Sequence, residues 1–232
     1  MRLGLMQPYF FPYIGYWQLI NAVDKYVIFD DVNFIKGGWI NRNHVLNNGA
    51  RMLFNVRTHH ASSNQHINAI QVAEDPAYYS KILKTIKNMY SRAPCFFQAY
   101  PVIERILNQE EKNLARYLEF GIRQVCEYMS INTEIIVSST IEKNNALRGQ
   151  AKVIEVVKKN GADEYINAIG GQSLYSYEDF AAQGIKLKFL KTEEIEYQQF
   201  KKDFVPNLSI IDVMMFNTKD EMKNMLGMYE LI

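Results

Sequence analysis

Asp30 and Asp31 stand close in the chain to Lys36, to the indole of Trp39 and to the triplet Asn41, Arg42 and Asn43. An aspartate here can accept from a ribose or sugar hydroxyl, take a proton as a general base, or hold Mg²⁺ through water. Lys36 adds an ammonium that can steer or donate. A guanidinium is a rigid fork matched to phosphate, and an indole is a platform for a base or sugar ring. The set suits a nucleotide-sugar diphosphate, with Asp30, Asp31 and Lys36 as candidates for the proton-transfer roles. The same residues also fit a plainer arrangement, in which Arg42 pairs with one aspartate, the asparagines form turns and the other aspartate caps one.

A second group precedes these residues. Gln7, Tyr9, Phe10, Tyr13 and Tyr16 crowd one short stretch interrupted by Pro8 and Pro12. A loop this aromatic is costly to leave in water unless it covers something. Gln7 can turn both amide functions towards a ligand or brace the loop backbone. Gly15 falls at a helix start, where free N–H groups favour an anion, or it lets that helix pack tightly. Further on, Gly170 and Gly171 with Tyr175 nearby can bring backbone N–H groups to an oxyanion, or simply form a tight turn. Ser209 reads as a helix N-cap, and Asp212 as its partner in a capping box.

These groups need elements to place them. Leu3–Met6 is an apolar run suited to a buried strand, and Trp17, Leu19, Ile20 and Val23 recur at helical spacing from Gly15. Tyr26–Phe29 is a second strand, so the aromatic loop and the aspartates end two strands of one βαβ unit. In open parallel sheets ligands sit outside the carboxyl ends of the strands. Asn47-Asn48-Gly49 marks a hairpin between Ile40–Leu46 and Arg51–Val56. Asp75-Pro76 starts a helix to Tyr90, Pro94 another to Leu107, and Glu111–Met129 carries a third. Strands at Thr133–Ser138, Glu164–Ala168 and Ile185–Leu190 alternate with helices at Arg148–Lys159 and Tyr177–Gln183. The tail from Leu208 is mostly helical. Alternation at both ends of the chain predicts an α/β fold with one parallel sheet, in a single domain over residues 1–232. Residues from about 75 to 130 are then a helical insertion or cap.

Composition limits the function classes. A chain of 232 residues that is 48% hydrophobic and 22% charged can bury a sizeable core. A net charge of +1 gives no global attraction to nucleic acid. Cys95 and Cys126 lack close pairing and fall on apolar helix faces, which suits a reducing compartment. No signal-peptide pattern is visible, and no apolar run approaches the roughly 18 residues of a membrane span. A cytoplasmic location and a small-molecule partner are therefore expected. His59, His60 and His66 lack a usual ligand spacing, so no metal is expected.

Gln7-Pro-Tyr-Phe-Phe-Pro-Tyr-Ile-Gly-Tyr-Trp17, Phe29-Asp-Asp31, Trp39-Ile-Asn-Arg-Asn43 and Leu208-Ser-Ile-Ile-Asp212 together resemble the WbqC-like protein family over essentially the whole chain. Ser138-Ser139, Gly170-Gly171 with Tyr175, and Tyr197-Gln198 fit its later pattern. The resemblance implies bacterial surface-polysaccharide (O-antigen) assembly. It also implies transfer of glycine or another acyl group onto a nucleotide-linked amino sugar, so that the ligand is a nucleotide or nucleotide-sugar. The first unit is also similar to that of nucleotidylyltransferases and pantothenate synthetase, which implies a Rossmann-like parallel sheet. Their His-x-Gly-His signature is replaced here by Tyr13-Ile14-Gly15-Tyr16. The imidazoles that act in adenylyl transfer are absent, so ATP-dependent nucleotidyl transfer or acid activation ranks second. A non-catalytic binding role in a polysaccharide assembly complex ranks third.

Overall fold

The computed structural model describes residues 1–200 and 203–232. Strand β1 (Arg2–Met6) leads through the aromatic loop into α1 (Ile14–Asn21) and β2 (Lys25–Ile28). Leu3 and Leu5 point to one face of the sheet, where they pack against Val153, Val156 and Val157. Gly4 points to the other face, where an added Cβ would lie 3.2 Å from the Tyr26 ring and 3.5 Å from Leu19. The two-residue period of a strand therefore separates a side-chain layer from a position where α1 must approach closely.

A hairpin follows, β3 (Arg42–Asn47) with β4 (Ala50–Asn55). Asn48 and Gly49 have φ of 51° and 80°. Two consecutive left-handed residues give the turn whose twist matches paired strands. The short strands β5 (Thr58–His59) and β6 (Gln71–Val72) pair with each other. Three helices come next, α2 (Pro76–Tyr90), α3 (Phe96–Leu107) and α4 (Leu114–Met129). Asp75 caps α2 by accepting from Tyr78 N at 2.9 Å, with Pro76 at the first helical position. The third helix begins later than the sequence suggests, at Leu114, because Asn113 is its cap, accepting from Arg116 N at 3.2 Å.

The rest is β7 (Glu134–Val137), α5 (Gly149–Lys159), β8 (Glu164–Ala168), α6 (Tyr177–Ala182), β9 (Lys186–Thr192), α7 (Ile210–Phe216), α8 (Lys219–Met225) and β10 (Tyr229–Leu231). The central sheet runs β10-β9-β8-β1-β2-β7. All its pairings are parallel except β9 with the edge strand β10. The fold is mixed α/β, with helices covering a mostly parallel sheet. Strand β10 was not expected, since the tail reads as helix. It is three residues long and exists only through its pairing with β9. Strands β2 and β7 lie on one side of β1, and β8, β9 and β10 on its other side. The carboxyl ends of β1 and β8 therefore flank the point where the chain changes direction. Among the described residues no helix is long and apolar enough to cross a membrane.

Candidate functional site

The aromatic loop is held by its own carbonyl groups. The Tyr16 hydroxyl donates to Gln7 O at 3.1 Å, and the Trp17 indole N–H to Pro12 O at 3.1 Å. Asn43 Nδ2 donates to Phe10 O at 3.2 Å and to Phe11 O at 2.7 Å, where the Ser209 hydroxyl also donates at 2.8 Å. Ile210 N reaches Pro12 O at 3.0 Å, and Phe10 N reaches Trp39 O at 3.3 Å. Phe11 has φ 44°, a left-handed conformation that a bulky residue adopts only when its surroundings impose it. Asn43 and Ser209 supply that constraint from β3 and from the start of α7. Phe10 and Tyr16, expected on the ligand edge, are core residues at 2% exposure. Burial also pushes the Tyr16 phenol far above its ordinary pKa, so it stays a neutral donor.

The other rings of the loop face open space. Tyr9, Pro12, Tyr13, Trp39, Asn43 and Asn207 line a cleft of about 290 Å³. Tyr13 is 38% exposed and Trp39 48%. Tyr13 and Asn207 also line a larger cavity of about 600 Å³ that runs along the carboxyl end of β9, past Ile14, Ile169, Thr192 and Glu193 to Tyr197. The two spaces meet at Tyr13 and Asn207 and form one bent cleft. Volumes of this size are typical of small-molecule sites. Trp39 packs edge-on against His44 at 5.7 Å. Burial, with Arg51 and Arg42 nearby, lowers the His44 pKa and favours its neutral form. Gly15 lies against this cleft. A Cβ there would collide with the Tyr13 hydroxyl and come within 2.6 Å of the Thr192 hydroxyl. The glycine is thus required for Tyr13 to lie across the start of α1.

Asp30 and Asp31 are buried and bonded internally. Asp30 accepts from Ser139 N at 2.9 Å, from Ser139 Oγ at 2.6 Å and from Asn68 Nδ2 at 3.2 Å. Asp31 Oδ2 lies 2.9 Å from Lys143 Nζ and 3.0 Å from Lys152 Nζ, and both lysine side chains are almost fully buried. Lys143 also donates to Ser138 O, and Lys152 to Asp31 O at 2.7 Å. Burial alone would raise the Asp31 pKa. Bonds from Lys143, Ser138 and Lys152 outweigh it and hold the carboxyl below its ordinary value. The two aspartates and two lysines form a charge-balanced knot that ties β2, the turn after β7 and α5 together.

The remaining candidates are dispersed. Arg42 donates to Gly38 O at 3.1 Å and to Gly37 O, so it closes the loop before β3 and does not pair with an aspartate. Asn41 braces Val56 O at 3.0 Å. Lys36 is exposed on that same loop. Gln7 is half-buried and reaches Asn33 O at 3.4 Å. Gly170 has open space around it, whereas a Cβ on Gly171 would lie 2.9 Å from Asn167 Nδ2. Tyr175 sits among Tyr165, Phe180 and Phe189 on the α6 side, away from the aromatic loop. Asp212 does not complete a capping box. It is fully buried and accepts from Tyr90 at 2.8 Å, Tyr197 at 2.7 Å and Gln199 at 2.7 Å. Burial outweighs these bonds and raises its pKa. Among the described residues no group of His, Cys, Asp or Glu could hold a metal ion.

Several residues of the site carry weak sequence signals. Lys152 lies on the buried face of α5 with Val153, Val156 and Val157. A lysine inside an apolar stripe is the one clue to the knot. Asn207 (φ 56°) and the carboxylates of Glu193, Glu194 and Glu196 line the cleft from a stretch with no periodicity.

The molecule is thus a mixed α/β fold with an aromatic cleft at the carboxyl edge of its sheet. The WbqC-like protein family model matches residues 7–224, so the chain belongs to that family. Its match begins at Gln7, the first residue of the stapled loop. An uncharacterized protein of Mycobacterium tuberculosis is 22% identical over 223 residues, covering 95% of each chain. No solved structure matches the chain at a significant level.

Proposed function

We propose that this protein is a transferase of bacterial surface-polysaccharide (O-antigen) assembly, which moves an acyl or aminoacyl (glycyl) group onto a nucleotide-linked amino sugar held in the bent cleft. The observation that carries this reading is the convergence of Tyr9, Tyr13, Trp39, Asn43 and Asn207 on one open space. Aromatic faces with a few amides are the chemistry that holds a sugar or base ring. Read in chain order, the five parallel strands stand 3-2-1-4-5, the order of doubly wound nucleotide-binding sheets. That order supports a Rossmann-like reading, in which ligands bind outside the carboxyl ends of the strands.

In the transfer, the amine nitrogen attacks the acyl carbon of an activated donor. The carbon–nitrogen bond forms, the bond to the leaving group breaks with its electron pair, and the proton that nitrogen loses passes to the departing group through water. Positioning supplies much of the acceleration when both reactants are held in line, which fits a cleft with no Ser–His or Cys–His pair. Asp30 and Asp31 act here by fixing the sheet edge, Asp30 through Ser139 and Asn68 and Asp31 through the two buried lysines. The test is incubation with a panel of nucleotide-linked amino sugars and activated acyl or glycyl donors, read by mass spectrometry. The expected result is a product heavier by one acyl group. No mass shift across the panel counts against the reading.

A further inference from the structure

A second groove, of about 400 Å³, runs beside the β3–β4 hairpin and shares no lining residue with the bent cleft. One wall is Met52, Leu53 and Phe54 of β4. Successive strand residues point to opposite faces, so a groove that touches all three follows the edge of the strand. The other wall is α2, through Ala77, Lys81 and Thr85 and, one position on, Tyr78, Ile82 and Ile86. A spacing of four keeps both sets on one side of the helix. Among the described residues β3 is the one strand neighbour of β4. Asn47 pairs with Ala50 across the two-residue turn, so the backbone groups of Arg51, Leu53 and Asn55 turn away from β3. On β3 the corresponding groups are engaged. Leu46 N donates to the Tyr90 hydroxyl at 2.8 Å, and His44 O accepts from Ser209 N at 2.9 Å. On β4 the Tyr78 hydroxyl closes one end by donating to Asn55 O at 3.1 Å. Arg51 and Leu53 have no such backbone partner among the described residues, and the Leu53 side chain is half-exposed.

The groove is also short of negative charge. Its one carboxylate among the described residues, Asp75, is already engaged, accepting from Tyr78 N at 2.9 Å and pairing with Arg57. Lys81 and, one turn on, Lys84 are exposed and have no ion pair among the described residues. We propose that this edge docks an extended acidic peptide segment of a partner protein, which adds to β4 as a third strand of the hairpin sheet. In strand addition the main chain supplies affinity, here at Arg51 and Leu53, and the neighbouring wall selects the side chains. The acidic character follows from Lys81 and Lys84, whose charges steer carboxylates to the rim. Arg51 to Asn55 spans about 13 Å at the rise of a strand. Ala77 to Ile86 spans about 13 Å at the rise of a helix, so the two walls run alongside the same short stretch of peptide. An unpaired edge also invites pairing between copies, which makes a second copy of this chain the competing occupant.

The test is fluorescence anisotropy with a labelled, end-blocked peptide that alternates glutamate and valine. Its counterparts are the same peptide with lysine for glutamate, and the acidic peptide N-methylated at its central amides. The expected result is that the acidic peptide binds about tenfold more tightly than the basic one. The preference should shrink in high salt and in a K81E/K84E double variant, at an unchanged melting temperature. N-methylation should abolish binding, because it removes the main-chain donors without touching the protein. Equal affinity for the acidic and basic peptides, undiminished binding of the N-methylated peptide, or no binding of any of them overturns the proposal. Sedimentation in the absence of peptide covers the competing occupant. A concentration-dependent dimer that Leu53→Glu abolishes assigns the edge to a second copy and overturns the peptide reading, whereas a monomer at all concentrations supports it.

Discussion

The carboxyl edge of the sheet has two halves that look alike in sequence and differ in structure. At the β2–β7 half, both Asp30 oxygens and Asp31 Oδ2 are engaged by Ser139, Asn68, Lys143 and Lys152, and Asp31 Oδ1 is closed off in the interior. At the β1–β9 half, Tyr13 and Trp39 leave large ring areas in contact with solvent. Polar residues gathered at a strand end suggest catalysis when only their types are known. Once their partners are known, the first half is bonded largely to itself and the second leaves its ring faces open. The aromatic loop joins the two, because the bonds that fix its carbonyls keep Tyr9 and Tyr13 available.

The comparison breaks most readily at Asp31. Replacing it by alanine strands two buried ammonium groups, which costs roughly 3–5 kcal/mol when a buried ion pair loses one partner. Chemical denaturation of Asp31→Ala measures this, and a loss below about 1 kcal/mol would show that the knot is solvated and available to ligand. Asn43→Ala comes next. It leaves the Phe10 and Phe11 carbonyls short of a donor, with an expected loss of about 1–3 kcal/mol and weaker ligand binding as the loop relaxes. Unchanged stability would contradict the stapling role. Trp39→Ala is expected to change stability by no more than about 0.5 kcal/mol, as at most surface positions. Its effect falls on affinity for a nucleotide-linked amino sugar, weakened several-fold as a stacking face is lost.

The smallest expected effect is a pH dependence with opposite signs at Asp31 and Asp212. The Asp31 carboxyl is held below its ordinary value, so its stabilisation is present above about pH 4 and is lost as pH falls through the lowered pKa. The Asp212 carboxyl is raised, so its contribution is present below that ordinary value and is lost as pH rises through the raised pKa. The stability difference between wild type and Asp212→Asn should therefore move in the variant's favour as pH rises from about 4. A flat difference over that range would place Asp212 in a more hydrated setting than its burial indicates.

Local chemistry made much of the fold legible. Asp75-Pro76 announces α2, Asn48-Gly49 the hairpin, and Gly161, at φ 68°, the end of α5. Each signal is complete within a few residues. The site was legible as a composition and not as an arrangement. Nothing near Asp31 in the chain indicates that Lys152, 121 residues away, will neutralise it. Nor does Arg42 show that it will spend its guanidinium on Gly37 and Gly38. Strand β10 was hidden for a similar reason, because three residues have no periodicity and pair only through tertiary contact.

The chain has two tryptophans, Trp17 fully buried beside the loop and Trp39 half-exposed in the cleft. Their two indole N–H resonances make NMR titration with a nucleotide-linked amino sugar the most direct measurement. The Trp39 signal should shift with saturation, together with Asn43 and Asn207, while Trp17 and the amides of Asp30 and Asp31 stay in place. Shifts concentrated at Asp30, Asp31 and Ser139 with Trp39 unmoved would contradict the assignment of the ligand to the aromatic cleft.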